Sequence, residues 1–360
     1  MSDALPSFTH PRPLVVRCGA VGDMVLLTPL LALLQRRYGV APDVLASGAW
    51  TPELYAGHPH VGSIFLLGSR RRPYWSDPRQ WSISTALQQR RPGPVFLCDE
   101  RAVVQIRRIL AHGGIRERDL LWVGDCHDTW RPHWIDRWLA FGAQSPVPWP
   151  APDAAVEARP ILTVSAAAQV DLRRWLQAHG LTGKRLILLQ PGSKRTLKRG
   201  RRGLLGNDKA WPVERWVETM QGMASSCPDA ALLLTGAPSE QAMLRHLQRA
   251  SQLSQVYAVA STMTISRLLA LCANASGMLA VDTGPAHMAA ALGCPLIVLY
   301  GSSSPSTWLP RGPENTPIIP LGGPENGCLR VTDIPTQTVL ETWNTLPLRG
   351  KPATICTGMA

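Results

Sequence analysis

The four residues Asp282-Thr283-Gly284-Pro285 offer the most direct argument from residue type to chemistry. They stand inside Leu279–Gly301, LAVDTGPAHMAAALGCPLIVLYG. Leu279-Ala280-Val281 reads as the end of a buried strand. Ala286–Leu292 reads as a helix, with Gly293 as its stop and Pro295 beyond it, and Leu296–Tyr300 as the next buried strand. Asp282 or Thr283 can cap the helix, and Pro285 suits its first turn. A helix that starts at the carboxyl end of a strand turns backbone N–H groups and a positive dipole end outward, an arrangement that favours a phosphate. An ordinary capped strand-to-helix turn uses the same residues, and local features do not choose between the two.

A second group lies near the amino terminus. Arg17–Asp23 (RCGAVGD) joins the strand Leu14-Val15-Val16 to a helix expected over Met24–Tyr38, whose apolar face is Val25, Leu26, Pro29, Leu30, Leu33 and Leu34. Strand, glycine-containing loop and helix form the first unit of an α/β domain. The loop is neither G-x-G-x-x-G nor a P-loop, because no G-K-[ST] follows. Asp23 at a helix start reads as a plain cap or as a carboxylate open to a substrate. Farther on, Pro191–Trp211 carries Lys194, Arg195, Lys198, Arg199, Arg201, Arg202 and Lys209. Arg195–Gly206 reads as a solvated insertion, whereas Lys209-Ala210-Trp211-Pro212 leads into a helix that Pro212 begins. Two stretches are rich in Arg, Trp and Pro: Arg70–Arg72 through Trp81, and Trp122–Trp138 with His127, His133, Trp134 and Arg137. They read as loops and amphipathic helix over a core, or as a surface where flat rings stack on sugars and arginines grip anions.

The elements that must position these groups form two series. In the first, strands are expected at Val44–Ala46, Ile64–Leu67, Val95–Cys98 and Leu121–Val123, with a helix over Ala102–His112. Proline-rich Ser145–Pro160 reads as a linker. A helix over Ala166–Gly180 and a strand at Leu186–Gln190 open the second series. Strands at Ala231–Thr235 and Val256–Val259 follow, with helices over Glu240–Ala250 and Thr264–Ala273, and then the opening stretch. Gly301–Pro313 reads as a loop, Pro335–Thr345 as a last helix and Leu346–Ala360 as a loose tail. Two α/β series parted by a proline-rich hinge predict two Rossmann-like domains facing a cleft. The 360 residues suit two cores, and 45% hydrophobic against 17% charged residues excludes a disordered chain. The net charge of +12 implies an acidic partner: nucleic acid, an anionic membrane or a phosphorylated substrate. No RNP, helix-turn-helix or zinc pattern supports nucleic acid. The eight cysteines include no C-x-x-C pair and read as reduced cytosolic thiols rather than a disulfide frame or zinc site. No signal peptide and no apolar run long enough to span a bilayer is seen, so a soluble or peripheral protein is expected.

Taken in order, several blocks make the chain similar to glycosyltransferase family 9, the heptosyltransferases of the bacterial lipopolysaccharide inner core. The blocks are VVRCGAVGDMVLLTPLLALLQRRYG; LILLQPGS followed after a gap by DKAWPVERW; LLLTGAPSEQ; and the opening stretch with its continuation GSSSPSTWLPRGP. They run from about Leu14 to Pro313. The resemblance implies a GT-B fold, an α/β architecture of two Rossmann-like domains. An acceptor-binding domain is expected over 1–160 and a nucleotide-sugar-binding domain over 161–333. The last segment, 334–360, would hold a helix crossing back and a loose tail. It further implies Asp23 as catalytic base and Lys209 as a contact of the donor diphosphate, with Ser193 near a phosphate-contacting hydroxyl. Glu240 would bind the ribose and Met263 would pack on the adenine. Asp282, Thr283 and Gly284 would form the sugar- and diphosphate-binding turn, with His287 one helical step beyond. Each has a plainer reading: a surface lysine, a helix-start carboxylate, a core methionine, a satisfied core histidine. Two departures stand out. The insertion Arg195–Gly206 lengthens the loop before Lys209, and the family's G-P-T-D-P is here Gly301-Ser302-Ser303-Ser304-Pro305, without its acid.

The implied reaction is transfer of heptose from ADP-heptose, with inversion, to a lipid A–Kdo type glycolipid. Such a transfer needs a base for the acceptor hydroxyl and stabilisation of the departing diphosphate. Lysine and backbone amides can replace a metal ion there, and no D-x-D pair is placed for one, so no cofactor and metal independence are expected. The resemblance leaves open another nucleotide sugar, or a nucleotide-sugar epimerase of the same fold. Arg70–Arg72 and Arg195–Arg202 are candidates for contact with anionic sugars and the anionic inner membrane. A cytoplasmic protein, peripheral on the cytoplasmic face of that membrane, is expected, with no nucleic-acid partner.

Overall fold

The structure is a computed structural model that describes residues 10–68, 72, 74–126, 131–193 and 208–350. Arg70 and Arg71, His127, the basic insertion Arg195–Gly206 and the tail beyond residue 350 lie outside the described residues. The chain divides into two compact units, Met1–Ile161 and Leu162–Ala360.

The first unit is built on a parallel sheet of five strands: β1 (Leu14–Val16), β2 (Asp43–Ala46), β3 (Ile64–Leu66), β4 (Val95–Leu97) and β5 (Leu120–Trp122), in the order β3-β2-β1-β4-β5. β1, β2 and β4 are buried throughout. A parallel sheet covered on both faces needs such unbroken apolar runs, which is why they are visible in the sequence. Leu14, Val16, Leu45 and Leu97 pack with Ile106 and Leu110 of the helix Val103–His112. The strand order reverses between β1 and β4, so the loops after these two strands border the crevice where ligands of this architecture bind.

The single helix expected over Met24–Tyr38 is two helices, Val21–Leu26 and Thr28–Tyr38. Pro29 has no N–H with which to reach the carbonyl of Val25, four residues back. The hydroxyl of Thr28 donates to that carbonyl instead, at 2.9 Å, and the chain steps between helices. Two further helices, Pro78–Gln89 and Trp134–Gly142, lie in the Arg-, Trp- and Pro-rich stretches. Asp77 caps the first through the Arg79 N–H, and His133 caps the second through the Ile135 N–H. Trp138 is fully buried, so at that position the packing reading holds. The proline-rich linker is held rather than loose: the Arg37 guanidinium donates to the carbonyls of Gly142, Gln144, Ala151 and Pro152.

The second unit has six parallel strands: β6 (Arg185–Gln190), β7 (Ala230–Leu234), β8 (Val256–Ala258), β9 (Gly277–Val281), β10 (Leu296–Tyr300) and β11 (Ile318–Gly322), ordered β11-β10-β9-β6-β7-β8. β11 was not expected. It pairs Pro320 with Val298, a residue tolerated there because the strand forms the sheet edge. The order reverses between β6 and β9, where Gln190 pairs with Ala280. The last helix, Thr336–Thr345, which the family resemblance sets apart, places Val339 and Trp343 in the core of this unit beside Met220 and Met223 of the helix Val213–Ser226.

Candidate active site

In the second unit, the loops after β6, β7, β8 and β9 hold the residues singled out for donor binding. The turn after β9 leads into the helix Gly284–Ala291, with Thr283 at its N-cap position and Pro285 in its first turn. Neither candidate caps this helix. Thr283 donates its hydroxyl backward to the Val281 carbonyl at 3.1 Å, and no side chain accepts from the helix start. A helix start leaves its first N–H groups without intrahelical partners. Here Pro285 has no N–H and the Ala286 N–H donates to the Thr283 carbonyl at 3.1 Å, which leaves the Gly284 N–H open, with the positive end of the dipole behind it.

Lys209 reaches this turn from a distant part of the sequence. Its Nζ donates to Asp282 Oδ2 at 2.6 Å and to the Asp282 carbonyl at 2.9 Å. Its backbone is pinned on both sides. Trp211 is buried edge-on against Trp216, ring centroids 5.2 Å apart, and the Asp208 carbonyl accepts from the Val331 N–H at 2.8 Å. The same carbonyl would lie 2.3 Å from any Cβ at Gly301, so this approach requires glycine there. His287 is buried, its Nε2 4.0 Å from Asp282 Oδ1, which is beyond hydrogen-bond reach. Lys209, Asp282, Thr283, Gly284 and His287 therefore form one cluster.

Glu240 is buried at the end of the short turn Pro238–Glu240 after β7. Its Oε2 accepts from the Ala237 N–H at 2.7 Å, while Oε1 has no hydrogen-bond partner among the described residues. Burial raises its pKa, and the Ala237 N–H offsets part of that rise. Gly192, after β6, lies against the carboxylate: a Cβ there would sit 2.1 Å from Oε1. Ser193 is next, half-buried and at the last described position before residue 208. Met263 is half-buried after the turn Ala260–Thr262. Gln241 ties this segment to Glu240, accepting from Ser261 N–H at 2.7 Å and donating to the Ala258 carbonyl at 2.8 Å.

Asp23 stands in the first unit, in the helix Val21–Leu26 after β1. Its Oδ2 accepts from the Ala20 N–H at 2.7 Å and its Oδ1 from Arg17 Nη2 at 2.8 Å. Arg17 is buried against the rings of Trp134 and Trp138 and donates to the Cys98 carbonyl at 2.7 Å. Asp99, after β4, accepts from the Cys18 N–H at 2.6 Å. Burial opposes the charge on Arg17, but Asp23 and Asp99 outweigh it and its pKa is raised.

In the sequence Arg17 is only one residue of the loop after β1, and Asp99 belongs to no motif. The available signal was a charged residue one or two places past a buried strand. A buried polar strut under Gly192 leaves no sequence signal: Gln190 Nε2 donates to the Gly192 carbonyl at 3.0 Å, and Gln190 Oε1 accepts from the Thr235 hydroxyl at 2.9 Å. The segment Gly301–Pro305, which has no acid of its own, is contacted by one from farther along the chain. Glu325, after β11, accepts from the Ser304 hydroxyl and from the Ser306 N–H in the turn Pro305–Trp308. Ser302 donates to the Asp208 carboxylate.

Among the described residues no helix is long and apolar enough to cross a membrane. The family model for glycosyltransferase family 9 (heptosyltransferase) matches residues 121–334. A lipooligosaccharide heptosyltransferase 2 of Haemophilus influenzae is 25% identical over 327 residues, covering 86% of this chain and 89% of that protein. A lipopolysaccharide heptosyltransferase 1 of Escherichia coli is 33% identical over 102 residues, which span 28% of this chain and 30% of that protein's length. Among solved structures, the ADP-heptose lps heptosyltransferase II of E. coli superposes with a TM-score of 0.69 at 20% identity, covering 92% of this chain and 97% of that one. A family 9 glycosyl transferase from Veillonella parvula gives 0.71 at 16% identity, covering 93% and 96%. These likenesses give the fold as GT-B, with two parallel-sheet α/β domains. With the family model covering more than half of its length, this chain belongs to glycosyltransferase family 9, the heptosyltransferase family.

Proposed function

We propose that the protein transfers heptose from ADP-heptose to the lipid A–Kdo type inner core of lipopolysaccharide, with inversion at the anomeric carbon. The acceptor hydroxyl attacks C1, Asp23 takes its proton, and the C1–oxygen bond to ADP breaks. Lys209 and the N–H groups at Thr283-Gly284 stabilise the charge that gathers on the departing diphosphate. Ser193 adds a hydroxyl to the phosphates. Glu240 Oε1 accepts from a ribose hydroxyl, Met263 packs on the adenine, and Asp282 and His287 orient the sugar end. Lysine and amides carry the role of a metal ion, so transfer is metal-independent. The protein works in the cytoplasm, in peripheral contact with the anionic inner membrane, and its +12 charge suits both that surface and a phosphorylated acceptor.

One observation carries the reading: a helix start that no side chain caps, with a lysine ammonium held 2.6 Å from the aspartate beside it. The names of the relatives, which include an ADP-heptose enzyme, point the same way. The test is transfer by purified protein to a Kdo-bearing lipid A acceptor, with ADP-heptose against other ADP- and UDP-sugars and with EDTA present. Transfer from ADP-heptose alone, unaffected by EDTA and lost in Asp23→Asn, is expected. Preference for another nucleotide sugar overturns the donor assignment, and a wild-type rate in Asp23→Asn overturns the base.

A further inference from the structure

We infer that Arg17 is a positioning residue for the transfer step, fixing the carboxylate of Asp23 in one orientation. The inference rests on the reading of Asp23 as the base. A carboxylate held only by the Ala20 N–H can swing about that single bond. Arg17 Nη2, at 2.8 Å, locates the second oxygen as well. Each oxygen then keeps one lone pair for an incoming hydroxyl, in a fixed direction. A base must stand within hydrogen-bond reach of its proton, and a small misplacement lowers the rate without weakening substrate binding.

The guanidinium can set this position because it is itself immobile. Trp134 and Trp138 lie 5.8 and 5.3 Å from its carbon, measured to the ring centroids, and Nη1 is bonded to the Cys98 carbonyl at 2.7 Å. Cys98 directly follows β4 and Arg17 directly follows β1, and the two strands pair in register, Val16 against Leu97. The place of Asp23 is therefore set by the sheet rather than by the loop that carries it. A lysine presents one nitrogen where arginine presents a planar fork, so the two bonds to Cys98 and Asp23 call for arginine.

Stability is a poor explanation for this residue. Arg17 is buried and charged, and its Nε has no hydrogen-bond partner among the described residues. Burying a charge with one donor unsatisfied costs stability, and such local costs concentrate at working sites.

The test is steady-state kinetics of Arg17→Gln, Arg17→Lys and Trp134→Leu in the full chain, with thermal midpoints measured alongside. Arg17→Gln is expected to lower kcat by on the order of 10²-fold, with KM for the nucleotide sugar within about twofold of wild type. Arg17→Lys should recover part of that loss, and Trp134→Leu, which loosens the guanidinium without removing it, should lower kcat by less than Arg17→Gln. A wild-type kcat in a folded Arg17→Gln protein overturns the inference. So does a fall in kcat that merely follows a fall in thermal midpoint across the three variants. If Arg17→Gln does not fold, wild-type kcat in both other variants overturns it equally. Asp23→Asn separates the two readings. A wild-type rate there removes the base and this inference with it, whereas an inactive Asp23→Asn beside a fully active Arg17→Gln removes the inference alone.

Discussion

Each unit places one aspartate–cation pair at the point where its strand order reverses, and the two pairs are built with opposite exposure. In the first unit the cation is the more enclosed member: the Arg17 side chain is 11% exposed and that of Asp23 22%. In the second the acid is the more enclosed: Lys209 is 13% exposed and Asp282 8%. The first unit thus presents a carboxylate braced by a cation, and the second an ammonium braced by a carboxylate. One is suited to accepting a proton and the other to holding a phosphate. The same doubly wound layout yields both, because the crevice position comes from the sheet order while the chemistry is set by which member of the pair is left the more exposed.

The contrast breaks most visibly at Asp23. Asp23→Asn should lower kcat by about 10³-fold, with nucleotide affinity by calorimetry unchanged. Lys209→Ala should lower kcat by on the order of 10²-fold and also weaken ADP binding, since the proposed function has the lysine meet the nucleotide before and after transfer. Equal losses of nucleotide affinity in both variants would erase the distinction between the pairs.

Acid should act on the two units with opposite sign. Burial lowers the pKa of His58 in the first unit to about 4, against a partial opposing effect from the Ile161 carbonyl. A folded value below the unfolded one of about 6.5 means stability present above that pH and lost as the pH falls toward 4. Relative to His58→Gln, the wild-type protein should lose on the order of 2 kcal/mol over that window, read from denaturant midpoints. Glu240 in the second unit runs the other way. Its folded pKa is raised, so the folded state binds the proton first and wild type gains on Glu240→Gln as pH falls through that raised value. At neutral pH Glu240→Gln should unfold no earlier than wild type, yet bind ADP about tenfold more weakly, corresponding to about 1.4 kcal/mol. A similarly small effect is expected at Thr28→Val, about 1 to 2 kcal/mol of stability, from the lost hydroxyl bonds to the Val25 carbonyl and the Ile161 N–H.

The fully buried strands could be read from the sequence because parallel sheets leave continuous apolar runs, and the turns after β1, β6, β7 and β9 followed from them. Asp23, Lys209, Glu240 and Asp282 were named from their places in family-like blocks, and the structure brings Lys209 onto Asp282 across 73 residues of sequence. Such long-range pairing leaves no periodic trace. The contacts of Arg17 carry no sequence signal for the same reason, since its partners Cys98, Trp134 and Trp138 are spread along the chain. Amphipathic helix is expected within the two Arg-, Trp- and Pro-rich stretches, but not the bounds Pro78–Gln89 and Trp134–Gly142, because arginine and tryptophan blur the edges of a helical stripe. β11 was hidden by Pro320, which only an edge position permits.

The break between the helices Val21–Leu26 and Thr28–Tyr38 has a mechanical consequence. The Thr28 hydroxyl that donates to Val25 also accepts from the Ile161 N–H, at 2.9 Å, and His58 Nε2 bonds the Ile161 carbonyl at 2.8 Å. Ile161 is the last residue of its unit. Tension on the chain beyond it would meet these two side chains before it met the strands. One of those side chains forms the joint behind the short helix that carries Asp23. A pull on the connector would therefore load the helix that carries Asp23 before it disturbed the sheet.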